Sequence, residues 1–233
     1  MTEASATLEY PYFLVNFKTY AGTAGAEGLE FAREIERVAA DTGVPFAVSP
    51  QLPDVRLIAE ETDLPVVAQR ATPAESGRGM GEVLLETVAE AGADAVFVNH
   101  PESPDAFTDV ATLTRRCRDL GLESIVCVES VAMGRAALEF DPDCLLFEDP
   151  SDIASADAMI RTNPDRIAAF VDAIETENAE TRVFVGGGVR TGEDVTRAFD
   201  LGVDATGAAS AALEAEDRDA WLREVAAAVP TED

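Results

Sequence analysis

The sequence has little positive charge. Its 233 residues include 45 acidic residues but only 17 basic ones, which gives a formal net charge of −28 at pH 7. Nucleic-acid phosphates and anionic lipid headgroups are bound by clustered lysine and arginine, so this balance argues against both as partners. No apolar run approaches the roughly 18 residues that a membrane-spanning helix needs. We therefore expect a protein that contacts neither nucleic acid nor membrane.

Cysteine is also scarce. The three cysteines, Cys117, Cys127 and Cys144, are odd in number and widely spaced, so they suggest neither a disulfide framework nor a cluster of metal ligands. The first residues lack the basic and apolar regions of a signal peptide. These features predict a cytoplasmic protein that binds no metal.

Lysine and histidine each occur once, as Lys18 and His100, and the other 16 basic residues are arginines. An acidic protein with almost no lysine resembles proteins adapted to high salt. There the Debye length falls to about 3 Å at 1 M, so the self-repulsion of the charge is tolerable. A generic acidic protein is the alternative. In a chain that otherwise avoids lysine, Lys18 becomes a candidate functional residue.

Short apolar runs alternate with helical patterns along the whole chain. Hydrophobic residues make up 47% of the sequence, enough for a sizeable core, and no proline- or serine-rich linker divides it. Alternation of this kind predicts an α/β fold with parallel strands joined by crossover helices. Eight such units favour a single-domain (β/α)8 barrel over residues 1–233, with a doubly wound sheet as the alternative.

The predicted strands cover residues 12–17, 45–49, 65–68, 94–98, 124–128, 144–147 and 182–185, with an eighth near Ala205. The predicted helices cover residues 25–40, 54–60, 82–91, 107–120, 164–177 and 192–201, with one ending near 140 and a last one near 229. The eighth strand is the weakest prediction, because the residues from Asp204 to Ser210 are small and poor in strand formers.

Polar side chains follow several of the predicted strands. In (β/α)8 barrels the chemistry lies where the strands end, so these residues are expected to share one rim. A lysine after a strand is commonly a solvated surface residue, and a lone histidine is often structural. That the only lysine and the only histidine both follow strands favours a site. The candidates are Asn16 and Lys18 after the first strand, Asn99, His100 and Glu102 after the fourth, Glu148 after the sixth, and Gly186, Gly187 and Gly188 after the seventh.

These residue types permit a limited chemistry. A carboxylate can remove a proton from a carbon next to a carbonyl, a neutral imidazole can donate to the carbonyl oxygen, and an ammonium can stabilise the enediolate. The three glycines form either a simple tight turn or a loop whose N–H groups bind phosphate. Together they predict proton abstraction from a small phosphorylated carbonyl compound.

Four motifs make the sequence resemble the triosephosphate isomerase family, in its short archaeal form, over essentially the whole chain. They are Val15-Asn-Phe-Lys-Thr-Tyr20, Phe97-Val-Asn-His-Pro-Glu102, Leu146-Phe-Glu-Asp-Pro150 and Val185-Gly-Gly-Gly-Val189. The resemblance implies a TIM barrel that interconverts glyceraldehyde 3-phosphate and dihydroxyacetone phosphate without a cofactor, in glycolysis and gluconeogenesis. It also implies a sugar-phosphate substrate and a homodimer or homotetramer.

The resemblance further implies a role for each candidate residue. Glu148 would be the base, and His100 the neutral electrophile, kept neutral by the N-terminus of a short helix that follows it. Lys18 would balance the negative charge of the substrate. Asn16 would bind the substrate oxygen and Glu102 would orient the site. The residues implied for phosphate binding are Gly187, Gly188 and Ser210, together with Ala154 and Ser155 of the mobile lid.

The sequence departs from the family at the lid and the phosphate loops. The archaeal lid pattern Pro-Glu-Leu-Ile-Gly-Thr-Gly is here Pro150-Ser-Asp-Ile-Ala-Ser-Ala156, and Ala211 replaces a glycine after Ser210. Alanine makes any position that needs a positive φ costly. Three interpretations therefore stay open: an active triosephosphate isomerase, a paralogue that isomerises another aldose–ketose phosphate pair, and a non-catalytic protein that binds sugar phosphates. A Schiff-base aldolase using Lys18 is a further alternative.

Overall fold

Eight parallel strands form a closed barrel in the computed structural model, which describes residues 8–149 and 158–231. The strands are β1 (Tyr12–Asn16), β2 (Phe46–Ser49), β3 (Val67–Ala68), β4 (Ala95–Val98), β5 (Glu123–Val128), β6 (Cys144–Phe147), β7 (Arg182–Val185) and β8 (Ala205–Ala208). Their order is β2-β1-β8-β7-β6-β5-β4-β3. Val48 joins the two ends, because its N–H donates to Pro65 O at 3.0 Å and it bridges Val66 in parallel. The predicted (β/α)8 barrel is confirmed.

The helices lie in the connections between the strands and after β8. They are α1 (Gly25–Thr42), a 3-10 helix (Leu52–Asp54), α2 (Val55–Glu61), α3 (Leu85–Glu90), α4 (Phe107–Leu120), α5 (Val131–Leu138), α6 (Met159–Thr162), α7 (Pro164–Glu177), α8 (Gly192–Asp200), α9 (Ser210–Glu214) and α10 (Arg218–Ala226). None of the helices within the described ranges is long and apolar enough to cross a membrane.

Two of the sequence expectations for the helices were wrong in detail. Helix α3 begins at Leu85 rather than at residue 82, because Thr72 N–H donates to Val83 O at 2.7 Å and holds that segment extended. The short helices α6 and α9 were not predicted, since four and five residues carry too little periodicity to be recognised.

Two apolar layers hold the barrel together. Along β1, Tyr12 and Leu14 belong to the cluster inside the barrel, while Phe13 and Val15 pack against the surrounding helices. This alternation is the two-residue period of a strand. The interior cluster also contains Phe97 of β4, so the barrel is filled with side chains and a ligand can enter only at a rim.

Carboxylates fix the register of the strands at the amino-terminal rim. An aspartate lies directly before each of the strands β4, β6 and β8. Its carboxylate accepts a hydrogen bond from a backbone N–H at the start of the preceding strand in the chain. The three pairs are Val66 N to Asp94 at 2.7 Å, Ser124 N to Asp143 at 2.8 Å and Val183 N to Asp204 at 2.8 Å. This rim is therefore occupied by structural hydrogen bonds, and the carboxyl-terminal rim is left for chemistry.

Candidate active site

A cavity of about 190 Å³ opens at the carboxyl ends of the strands. It is lined by eight residues predicted from the sequence: Asn16, Lys18, His100, Glu148, Gly186, Gly187, Gly188 and Ser210. Glu102 lies beside it, in an adjoining depression that Lys18 and His100 also line. The predicted lid residues Ala154 and Ser155 lie outside the described residues. The barrel thus brings together residues that are up to 194 positions apart in the sequence, from Asn16 to Ser210.

Glu148 is placed directly after β6, where its N–H donates to Val128 O of the neighbouring strand at 3.1 Å. Its side chain is buried, with one oxygen, Oε2, 3.5 Å from Nε2 of His100. Gly186 lies close to β6, because a Cβ there would lie 3.1 Å from Cδ1 of Leu146. A carboxylate in this position can remove a proton from a small substrate held in the cavity.

His100 is held in one orientation and one tautomer. The backbone N–H of Glu102 donates to Nδ1 of the ring at 3.2 Å, so Nδ1 is the acceptor and the proton of the neutral ring is assigned to Nε2. Nε2 is the nitrogen that faces Glu148. The ring can therefore donate a hydrogen bond into the cavity.

Burial keeps this imidazole neutral. It lowers the pKa of His100 below its ordinary value of 6.5, and the nearby charge of Lys18 lowers it further, while Glu102 acts in the opposite direction. The expected short helix after His100 was wrong, since residues 101–102 form a turn, Ser103 forms a bridge with His100, and α4 begins only at Phe107. The neutral state follows from burial and a neighbouring cation.

Lys18 has a left-handed backbone, with φ of +43°. Two hydrogen bonds hold it there: its N–H donates to Asn16 Oδ1 at 2.9 Å, and its carbonyl accepts Gln69 Nε2 at 2.9 Å. Its ammonium lies 2.7 Å from Glu102 Oε2. Since Oδ1 of Asn16 holds the loop, the amide NH₂ is the part of that side chain suited to a substrate oxygen.

Asn99 and Gln69 support the loops at this rim. Asn99 has φ of +59°, and it exchanges hydrogen bonds with Asp105 at 2.7 and 3.1 Å, so it closes the loop that carries His100. Gln69 was not singled out from the sequence, although it directly follows β3. Its position after a strand was the signal that identified the other site residues.

The glycine loop after β7 lies against α6. Gly187 and Gly188 have φ of +86° and +70°, and a Cβ on Gly188 would lie 2.7 Å from Cβ of Ala158. Ser210 faces the same cavity at the start of α9. The loop therefore needs glycine for its conformation and for its close packing, and such loops present backbone N–H groups to anions.

The sequence interpretation did not identify Arg190 and Glu214, which also line the cavity. Arg190 follows the glycine loop, and its Nη2 lies 3.1 Å from Glu214 Oε2 at the end of α9. Within residues 8–149 and 158–231, no group of His, Cys, Asp or Glu has the arrangement of a metal site.

Comparison with known proteins identifies the family. A family model described as triosephosphate isomerase matches residues 11–228. The chain belongs to the triosephosphate isomerase family. It is 34% identical over 218 residues to the triosephosphate isomerase of Methanothermus fervidus, covering 94% of this chain and 98% of that protein. It is 32% identical over 212 residues to that of Methanocaldococcus jannaschii, covering 91% and 97%.

A solved triosephosphate isomerase has the same fold. The crystal structure of the enzyme from Bartonella henselae has a TM-score of 0.72 with this chain and covers 94% of it and 98% of its own length. At 15% sequence identity this likeness supports the barrel alone. The resemblance indicated by the four sequence motifs is confirmed at the level of the family.

Proposed function

We propose that this chain interconverts glyceraldehyde 3-phosphate and dihydroxyacetone phosphate, with Glu148 and His100 as its proton-transfer pair. The observation that carries the proposal is the 3.5 Å approach of Glu148 Oε2 to His100 Nε2 at the cavity that Lys18 also lines. Membership of the triosephosphate isomerase family supports the same reaction.

The reaction moves a proton between adjacent carbons. Glu148 removes a proton from C1 of dihydroxyacetone phosphate, and the C–H electron pair forms a C1=C2 double bond as negative charge moves to the C2 oxygen. His100 donates from Nε2 to that oxygen, which stabilises the enediolate. Glu148 returns the proton to C2 while a hydroxyl proton passes from the C1 oxygen to the C2 oxygen. The product is glyceraldehyde 3-phosphate, and the enzyme ends in its starting state.

The cavity must also accept the negative charge of the substrate. The phosphate group is a dianion that must enter a protein with a formal charge of −28, so the cavity needs a local reversal of the field. Lys18 supplies an ammonium, with Glu102 holding it in place at 2.7 Å. We assign phosphate binding to backbone N–H groups of Gly187, Gly188 and Ser210, and extend the assignment to Ala154 and Ser155 by the family resemblance.

We also propose that the chain acts in the cytoplasm as a single-domain homodimer or homotetramer suited to high salt. The family resemblance supports self-association, and the excess of acidic residues supports activity at high salt. The buried thiols of Cys117, Cys127 and Cys144 are compatible with a reducing compartment. Sedimentation in low and molar KCl tests the assembly, and a monomer in both conditions would contradict it.

A coupled assay in molar KCl tests the reaction. Glyceraldehyde 3-phosphate is offered beside other aldose and ketose phosphates, to wild type and to His100→Gln. We expect turnover of the triose and a large loss of kcat in the variant, because glutamine is a weaker electrophile than the imidazole. Turnover of another sugar phosphate alone would indicate the paralogue. Binding without turnover would indicate the non-catalytic protein.

A further inference from the structure

The cavity contains a cation that the proposed mechanism does not use. In the described part of the chain, its charged lining consists of Lys18, Arg190, Glu148 and Glu214. Lys18 is paired with Glu102 and is already assigned to balancing the negative charge of the substrate. Arg190 lies two residues after Gly188, so it lies at the end of the cavity to which we assign phosphate binding.

The backbone of Arg190 is fixed on both sides. Its N–H donates to Asp194 Oδ2 at 2.9 Å, and its carbonyl accepts the indole N–H of Trp221 at 2.7 Å. A rigid base of this kind restricts where the guanidinium can go, which lowers the entropic cost of placing it on a ligand. Trp221 is the only tryptophan of the chain.

The side chain of Arg190 is held weakly. Its partner Glu214 is 65% exposed and Arg190 is 44% exposed, at an N–O distance of 3.1 Å. Exposed pairs of this kind contribute at most about 1 kcal/mol, and less at high salt. A phosphate dianion offers a guanidinium two parallel hydrogen bonds, which are stronger than a single contact with a solvated carboxylate.

We propose that Arg190 is an anion-binding residue of this cavity, which exchanges its ion pair with Glu214 for the phosphate group of the substrate. The inference rests on the proposed function and adds to it a side chain for the phosphate end. Glu214 then acts as a competitor of the substrate. The two residues therefore have opposite effects on affinity, which a purely structural ion pair would not produce.

The test measures the Kd of inorganic phosphate by calorimetry at constant ionic strength. Arg190→Met is expected to weaken binding about tenfold, the size of a hydrogen bond to a charged group. Glu214→Gln is expected to tighten it severalfold, and Arg190→Lys to restore part of the loss. The fluorescence of Trp221 is recorded in the same titration, and a change in its intensity reports a change around the backbone of Arg190.

Arg197→Met is the matched control, because Arg197 forms an exposed pair with Glu193 at 2.7 Å on α8 and changes the net charge equally. Equal effects of Arg190→Met and Arg197→Met would overturn the inference, as would weaker binding by Glu214→Gln. The isomerase assay separates the two proposals. Arginine-dependent phosphate binding without triose turnover would refute the proposed function alone, and full turnover with unchanged affinity in Arg190→Met would refute the inference alone.

Discussion

Replacing Glu148 by aspartate keeps the carboxylate but withdraws it by one methylene. The oxygen that now lies 3.5 Å from His100 Nε2 retreats by about 1.5 Å, the length of one C–C bond. A misplacement of about 1 Å can cost 10²-fold in rate. We therefore expect kcat for glyceraldehyde 3-phosphate to fall roughly 10²- to 10³-fold, or about 3–4 kcal/mol of barrier.

The same substitution should leave the fold intact. It removes one methylene from a residue that is 6% exposed, which costs about 1 kcal/mol of stability. The measurements are kcat and KM from the coupled assay in molar KCl, with Tm from a thermal melt. Glu129→Asp is the control, because Glu129 is an exposed carboxylate at the carboxyl end of β5. A wild-type kcat in Glu148→Asp would refute the assignment of the base.

Three further predictions address the surroundings of the site. Burial and the charge of Lys18 lower the pKa of His100 in the folded protein. The unfolded chain therefore binds a proton at this imidazole more readily, and the free energy of unfolding falls as the pH drops below 6.5. Lys18→Met should raise the pKa of His100 and reduce the loss of stability at low pH. Proton NMR of the single imidazole measures this pKa, and an unchanged value would contradict the effect of the Lys18 charge. Gly188→Ala introduces a Cβ at a position whose backbone φ is +70°, so it should raise KM and lower Tm. Unaltered values of KM and Tm would show that the loop tolerates a Cβ. Asp94→Ala leaves the buried N–H of Val66 unpaired and should cost about 2 kcal/mol. That loss is about 5 °C in Tm, whereas Asp94→Asn should retain most of the stability.

The eighth strand shows what sequence patterns cannot supply. The residues Ala205–Ala208 are poor strand formers, yet they form β8 between β1 and β7. A Cβ on Gly207 would lie 2.5 Å from the carbonyl oxygen of Leu14, so the glycine allows the two strands to approach closely. The strand therefore depends on its neighbours in the barrel, which local propensity does not contain.

The site could be predicted where a residue type was rare. Lys18 and His100 occur once each, and each follows an apolar run, so position and scarcity together marked them. Gln69 also directly follows a strand, but its importance lies in a hydrogen bond to the backbone of Lys18, 51 positions away, which the sequence does not contain. Arg190 is one of 16 arginines, and only the folded barrel places it at the cavity.

The cause of the neutral imidazole could not be predicted either. The family resemblance implied a short helix after His100, but Pro101 and Glu102 form a turn, Ser103 forms a bridge with His100, and burial has the largest effect on the pKa of His100. Burial depends on how the loops after β1 and β4 pack together. That arrangement is a property of the closed barrel and not of the segment around His100.

Nitrogen NMR of protein labelled with ¹⁵N-histidine tests the central claim most directly, since His100 is the only histidine and gives one pair of ring signals. At neutral pH the structure predicts an unprotonated Nδ1, the acceptor from Glu102 N–H, and a protonated Nε2 directed at Glu148. Two protonated nitrogens, or a proton on Nδ1 with Nε2 bare, would contradict the account, because the ring could not then act as a neutral donor to the substrate carbonyl.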